Sequence, residues 1–216
     1  MEAPDSLVIG VTGHLNLDAA ARDTTAEAVT EQLRGDAGFM AASAVRIVAG
    51  LAPGADLLVI STISRLCSML GKRCHLHVLM TTDVDNMLQA WRQRTAELND
   101  PPSPAAQKQV SMQIAYWLQK AATVEHVHRR TDTTYSSHEC LAARLALEPD
   151  LLVAIIRPSH PGQRGGAQSV LAWRNHPDRI PPSLSGVSSR LKSGARSLAI
   201  DPDDGSSTLI EHSAGS

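Results

Sequence analysis

Apolar residues follow two distinct patterns along this chain, short continuous runs and longer segments with helical spacing. The mainly apolar runs predict strands at residues 7–11, 45–49 and 151–156, and further strands are predicted at residues 74–80 and 124–128, where histidines interrupt the apolar residues. A strand that is apolar throughout, instead of at alternate positions, is typical of a sheet that helices cover on both faces. The pattern therefore predicts an α/β fold, a three-layer Rossmann-like sandwich with a mainly parallel sheet.

Predicted helices fill the intervals between these strands. The first has a capping-box candidate at residues 24–27, although Asp18 offers an earlier start. Further helices are predicted over residues 56–70, from Asp83, over 105–122, over 136–147 and from Gly166. Arg174, near the end of the last helix, is expected at a surface or an interface. Strand, loop and helix thus repeat along the chain, as they do in α/β proteins.

The character of the sequence changes near residue 181, where Ser, Gly, Asp and Pro become dominant. This change predicts a folded domain over residues 1–182 and a polar, mobile C-terminal tail over residues 183–216. One apolar stretch, residues 196–200, leaves open a short edge strand within the tail.

Composition narrows the class of protein without assigning a function. The 216 residues are 43% hydrophobic and only 3% aromatic, which suits one domain with an aliphatic core. A formal net charge of -2 argues against electrostatic binding to nucleic acid. Cys67, Cys74 and Cys140 form no zinc motif and are odd in number, so they are predicted to be reduced thiols. With no basic leader and no apolar run of about 18 residues, the sequence predicts a cytoplasmic protein without a membrane partner.

Three glycine-bearing loops that follow predicted strands are the most informative motifs. They lie at residues 10–14, 50–56 and 164–167. Backbone N–H groups at such loops bind phosphate, because a helix N-terminus carries free donors and the positive end of the helix dipole. The candidate ligand-binding residues are Gly10, Thr12, Gly13, His14, Gly50, Ala52, Gly54, Asp56, Arg164, Gly165, Gly166 and Ala167.

Each loop also has a simpler interpretation. The first loop reads GxxG and not GxGxxG, so a nicotinamide dehydrogenase is disfavoured and a purely structural turn stays open. Asp56 either complements the dipole of the following helix or accepts hydrogen bonds from a ribose. Arg164 would add charge-assisted hydrogen bonds to an anion near the third loop.

Two histidine pairs raise a metal site as a rival hypothesis. His75 and His77, and likewise His126 and His128, have the spacing that places two side chains on one face of a strand. Nothing predicts that the two pairs converge, and neither contains a carboxylate. Solvated or core histidines are therefore favoured, and no metal or cofactor is predicted. The chain also lacks a Walker A motif, a nucleophile elbow and an HExxH motif.

The three loops, taken in order, resemble the SLOG superfamily of Rossmann-like domains, which includes the Lonely-Guy nucleotide phosphoribohydrolases and the DNA-processing protein A. The similarity covers residues 7–182 and is greatest to sensor-type members associated with bacterial conflict, or defence, systems. Their pattern is roughly GVTGHR, GLAxGAD and GGTAE. The resemblance implies a nucleotide pocket that these loops form at the carboxyl ends of the strands.

Departures from that pattern bear on catalysis. Leu15 stands where the family often has Arg, and residues 156–158 replace a Trp-acid-Gly sequence. Residues 167–169 read Ala-Gln-Ser, so the glutamate implicated in glycosidic cleavage in the hydrolase branch is absent. A serine at position 169 cannot replace a carboxylate as general acid. The substitutions therefore predict a protein that binds a nucleotide without hydrolysing it.

The favoured function is non-catalytic binding or sensing of a nucleotide or a nucleotide-derived signal, with a homo-oligomer or an effector protein as partner. The alternative is a nucleoside-monophosphate glycohydrolase of the Lonely-Guy kind, which would release free base from AMP. A third possibility, from another class, is a structural, oligomer-forming module whose pocket is vestigial and which no nucleotide stabilises.

Overall fold

A computed structural model describes residues 6–14, 17–97, 100–127, 135–158, 165–184 and 191–212. The strands of this part are β1 Ser6–Gly13, β2 Ala44–Ala49, β3 Arg73–Met80, β4 Thr123–His126, β5 Leu151–Ile155, β6 Arg196–Ile200 and β7 Ser207–Glu211. The α-helices are α1 Ala19–Gly35, α2 Ala37–Ala41, α3 Ala55–Met69, α4 Val84–Glu97, α5 Pro104–Lys120, α6 Ser137–Leu147 and α7 Ala167–Asn175. No helix within these described ranges has both the length and the apolar character needed to cross a bilayer.

The strands form one seven-stranded sheet in the order β4-β3-β2-β1-β5-β6-β7. Every neighbouring pair is parallel except β6 and β7. The chain builds outward from β1 to β4 and then returns to place β5 on the other side of β1. The strand order therefore reverses between β1 and β5, and the α/β fold class predicted from the sequence is confirmed.

Helices cover the sheet on both faces, which explains the continuous apolar runs. Alternate residues of β1, such as Ile9 and Val11, belong to a core shared with α1, α3 and α5. Val8 points to the opposite face, into a second core built largely from α6 and α7. Both faces of β1 are thus removed from water, so an alternating polar pattern cannot arise.

Local capping decides where the first helix begins. Asp18 is its N-cap, and the Asp18 side chain accepts a hydrogen bond from the N–H of Ala21 at 2.8 Å. The alternative start near residue 24 is wrong, because Thr25 is buried within α1 and its hydroxyl donates to the carbonyl of Ala21. The earlier of the two starts left open by the sequence is therefore the one adopted.

The C-terminal segment belongs to the fold, which corrects the prediction of a mobile tail for residues 191–212. β6 pairs with β5 along its whole length, and Leu198 and Ile200 are buried. Ser197 is also buried, where its hydroxyl accepts a hydrogen bond from the Nε of Arg174 at 3.1 Å. The composition of this segment does not predict a buried strand, because β6 is only five residues long and one of its buried residues, Ser197, is polar. Residues 185–190 and 213–216 of the predicted tail lie outside the described residues.

Candidate functional site

The first two glycine-bearing loops meet where β1 ends. Gly13 pairs with Ile155 of β5, and the N–H of His14 donates to the carbonyl of Ile155 at 3.1 Å. The carbonyl of His14 in turn accepts from the N–H of Ala55, the first residue of α3, at 3.0 Å. This point coincides with the reversal of strand order, where open α/β sheets form a crevice at the carboxyl ends of their strands.

Close packing explains why position 13 is a glycine. A Cβ atom on Gly13 would lie 2.4 Å from the Cβ of Ala55 and 2.9 Å from the Cβ of Ile155. Both distances are far below van der Waals contact, so a side chain here would push α3 away from β1. The glycine permits the helix to start directly against the strand, whether or not a ligand is present.

Gly10 and Thr12 lie inside β1, which corrects the prediction that they form part of a ligand loop. Gly10 is paired with Val48 and Leu152, and a Cβ atom there would meet the Cγ of Pro149 at 2.4 Å. Thr12 is opposite Ala154 and only 8% exposed. Position 10 is a glycine because Pro149 and Leu152 fill the space that a side chain would need. Thr12 is buried because it lies within a central strand of the sheet.

The side chain of Asp56 forms a hydrogen bond within the second loop. Its Oδ2 accepts a hydrogen bond from the N–H of Ala52 at 3.2 Å, and the side chain is almost completely buried. Burial raises the pKa of Asp56 to about 7, although hydrogen bonds from the N–H groups of Ala52 and Gly50 act in the opposite direction. The carboxyl group therefore has a structural partner within its own loop.

The backbone of this loop adopts left-handed conformations at two positions. Leu51 has a φ of 58°, which is uncommon for a residue with a side chain, and Gly54 has a φ of 102°. Such conformations cost on the order of 1–3 kcal/mol each for a residue other than glycine. Leu51 is fully buried, so its packing holds the loop in this conformation.

The third loop lies against the start of α6. Gly165 has a φ of 77°, and a Cβ atom there would approach the backbone N of Glu139 to 3.1 Å. The N–H of Gly165 donates to the hydroxyl of Ser169 at 3.2 Å, which bridges the loop to the first turn of α7. Arg164, the predicted cationic residue, lies outside the described residues.

Glu139 is the buried acid nearest to this third loop, and a capping box holds it. One of its oxygens, Oε2, accepts from the N–H of Ser136 at 2.8 Å and from the Ser136 hydroxyl at 3.0 Å. The Ser136 hydroxyl accepts from the N–H of Glu139 at 3.3 Å and so completes the box. This carboxylate stabilises the start of α6.

The helix starts divide into two groups. Among the described residues, five α-helices begin with a side chain that accepts a hydrogen bond from the first turn, while α3 and α7 begin at glycines without one. The capping residues of the five are Asp18, Asp36, Asp83, Ser103 and Ser136. The two exceptions, Gly54 and Gly166, belong to the second and third loops. Of the two predicted alanines, Ala52 lies two residues before Gly54 in the second loop, and Ala167 is the first residue of α7.

Sequence reasoning missed one polar cluster at the same edge. The N–H of Arg157 donates to the Nε2 of His14 at 2.8 Å, so the neutral imidazole carries its proton on Nδ1. The Arg157 side chain donates through Nε to the Oδ1 of Asp203 at 2.8 Å. Asp203 follows β6 and brings the C-terminal segment to this edge. No local motif marks it, because its position depends on the pairing of β5 with β6.

His77 of β3 contacts a carboxylate that an arginine also binds, and this arrangement does not favour a metal site. His77 lies 3.2 Å from an oxygen of Glu125 through its Nε2, and Arg144 binds the other oxygen of that carboxylate. The Arg144 guanidinium holds the pKa of Glu125 below its ordinary value. Over the described ranges, which exclude His128, no three His, Cys, Asp or Glu side chains converge as metal ligands do.

The two cavities identified in the described part of the chain lie away from the glycine loops. The larger, about 530 Å³, lies along the outer side of α5 and reaches Ser61 of α3. The smaller, about 250 Å³, lies near the end of α1 and the start of β5. The candidate site is recognised from its helix starts and loop geometry.

Comparison with known proteins assigns no family to this geometry. Neither protein-family models nor curated proteins match the chain. The resemblance to the SLOG superfamily consequently depends on the three motifs alone and stays a prediction. The structure adds the position of those motifs. The second motif contains Gly54, the N-cap of α3, and the third contains Gly166, the N-cap of α7.

Proposed function

We propose that this chain binds the phosphate of a nucleotide or a nucleotide-derived signal at the carboxyl edge of β1 and β5, without cleaving the ligand. One observation carries the proposal: α3 and α7 start at Gly54 and Gly166 with no side-chain cap, whereas five other described helices have one. Two of the three glycine loops predicted to bind phosphate thus lead into the helices that start without a side-chain cap.

The physical basis is the chemistry of a helix N-terminus. The first N–H groups of a helix have no acceptor within it, and the dipole places roughly half a positive charge there. A side-chain cap satisfies these donors internally, while a glycine leaves them for an external anion and lets that anion approach the backbone. The location at the strand-order reversal matches where α/β proteins bind such ligands.

The two buried acids near the loops support binding without hydrolysis. Asp56 accepts from its own loop, and Glu139 completes a capping box. The position that carries the family's glutamate is Ser169, whose hydroxyl accepts from Gly165. One oxygen of each carboxylate holds its own loop or helix start, so moving either acid toward a ribose would break that contact.

A glycohydrolase is the second candidate, and one observation favours it. Burial raises the pKa of Asp56 to about 7, the range in which a carboxyl group exchanges protons most effectively at neutral pH. Incubation with AMP, followed by chromatography for free adenine, distinguishes the two functions. The binding proposal predicts no release above an enzyme-free control. Robust release that is lost in Asp56→Asn would establish the hydrolase instead.

The binding proposal is tested on freshly purified full-length protein by native mass spectrometry. A co-purified nucleotide should appear as an added mass that is lost on denaturation and absorbs at the wavelength of a base. Calorimetric titration with AMP, ADP, cyclic AMP and ADP-ribose then covers the ligand classes. Absence of both a co-purified nucleotide and any titration heat across this series would contradict the proposal and favour the structural module.

A further inference from the structure

Two cysteines that are seven positions apart in sequence are brought together by the turn between α3 and β3. Cys67 lies in the last turn of α3, and Cys74 is the second residue of β3. The chain reverses between them at Gly71, which has a φ of 65°. Cys74 faces α3, since it packs against the same apolar core that contains Cys67.

Direct contacts define this pair of thiols. The Sγ of Cys74 lies 3.7 Å from the hydroxyl of Ser64, which is one turn before Cys67 on the same side of α3. Cys67 and Cys74 also interact directly, since each thiol changes the pKa of the other. Cys67 is fully buried, while Cys74 is partly exposed to solvent.

These contacts make the two sulfurs chemically unequal. The interaction with Cys67, with a smaller contribution from Ser64, lowers the pKa of Cys74 against the effect of burial. The same interaction, together with burial, raises the pKa of Cys67, and Lys72 in the connecting turn acts weakly in the opposite direction. Cys74 is therefore the thiol that ionises first, and it is also the one that solvent reaches.

We propose that Cys74 and Cys67 form a hydroperoxide-reactive dithiol, in which Cys74 is the attacking residue and Cys67 the resolving residue. The Cys74 thiolate attacks one oxygen of hydrogen peroxide, the O–O bond breaks, and a sulfenic acid and hydroxide form. The Cys67 sulfur then attacks the sulfenic sulfur, the S–O bond breaks, and a second hydroxide leaves. The protons of the two thiols convert both hydroxides to water, so one peroxide is reduced and one disulfide forms.

The third cysteine, Cys140, is a control for the reactivity of this pair. It is buried in α6 and belongs to the core on the opposite face of the sheet. A thiol that is buried and has no second cysteine beside it lacks both requirements of a redox pair, which are access and a resolving partner. The inference is independent of the proposed nucleotide site, because it concerns the other end of α3.

The test uses the reduced, full-length protein treated with hydrogen peroxide and then alkylated after unfolding. Intact mass should fall by about 2 Da before alkylation, the two thiol hydrogens, with one cysteine left to alkylate. Non-reducing peptide mapping should join Cys67 to Cys74, and dithiothreitol should reverse the change. Three alkylatable thiols after peroxide, or a disulfide that includes Cys140, would overturn the proposal.

Three single-residue variants distinguish the attacking role of Cys74 from the resolving role of Cys67. Cys140→Ser should form the disulfide as the parent does. Cys67→Ala should stop at a sulfenic acid that dimedone traps on Cys74, whereas Cys74→Ala should slow peroxide consumption by about tenfold or more. If Cys74→Ala consumes peroxide as quickly as the parent protein, or if Cys67→Ala gives no dimedone adduct on Cys74, the assignment of an attacking and a resolving residue is wrong.

Discussion

The two ends of the parallel strands are completed in opposite ways. At the amino ends of β5 and β6, fully buried Arg174 donates to the carbonyls of Ala146, Pro149 and Arg196 at 2.8–2.9 Å. At the carboxyl ends, α3 and α7 begin at glycines without a side-chain cap. At one edge a buried side chain satisfies the backbone groups, and at the other edge two helices start without a side-chain cap.

This contrast distinguishes residues with a structural role, whose hydrogen-bond partners lie inside the protein, from a candidate ligand site. Desolvation lowers the pKa of Arg174 to about 10, partly offset by Asp150, so the guanidinium stays charged at neutral pH. A buried cation whose hydrogen bonds are all internal has a structural role. At the opposite edge no side chain caps α3 or α7, and a helix start of this kind suits an anionic ligand.

The largest expected effect is at the amino edge. Arg174→Met should lower the free energy of unfolding by about 3–5 kcal/mol, because several buried carbonyls lose their donor at once. Urea unfolding measures the loss. Arg34→Ala is the matched control, since Arg34 is exposed in the last turn of α1, and its effect should stay within about 0.5 kcal/mol. Equal effects of the two substitutions would contradict the structural role of Arg174.

The second expected effect is a pH dependence caused by Asp56. Its folded pKa of about 7 exceeds the ordinary value of 3.8, so the folded state binds more protons than the unfolded state between these values. Stability should therefore fall as pH rises from 4 to 7, on the order of 3 kcal/mol in total. Asp56→Asn should remove this dependence. Parallel stability curves for parent and variant across this range would show that Asp56 is not buried as described.

The third expected effect is a packing effect at the carboxyl edge. Gly13→Ala should destabilise the protein by about 1–3 kcal/mol, because its Cβ would overlap Ala55 and Ile155. Gly35→Ala is the control, since no atom lies within 4 Å of the Cβ built there and its φ is not left-handed. Thermal unfolding compares the two. A neutral Gly13→Ala would mean that α3 does not pack against β1 this closely.

Much of the fold could be predicted from the sequence, because burial on both faces produces an unmistakable apolar run. The capped start of α6 at Ser136 was predictable for a similar reason, since a capping box is a local motif. The carboxyl ends of the strands follow from the fold class, and with them the positions of the second and third loops.

The remainder depends on contacts between distant residues. The sequence predicts a surface or an interface position for Arg174, and only the pairing of β5 with β6 reveals that carbonyls surround it. Asp203 reaches the carboxyl edge for the same reason. Gly10 could not be distinguished from a loop glycine, because the residue that fills its space, Pro149, is far away in sequence.

The most direct test of the open carboxyl edge is calorimetric titration of the co-purified nucleotide, or of AMP, into three proteins: the parent, Gly166→Asn and Gly166→Asp. Gly166 has a φ of -84°, so either side chain can cap α7 without backbone strain. Phosphate at this helix start predicts weaker binding by Gly166→Asn and about tenfold weaker binding again by Gly166→Asp, with unchanged melting temperatures. Equal affinity of all three proteins for the nucleotide would contradict the claim that the start of α7 binds the phosphate.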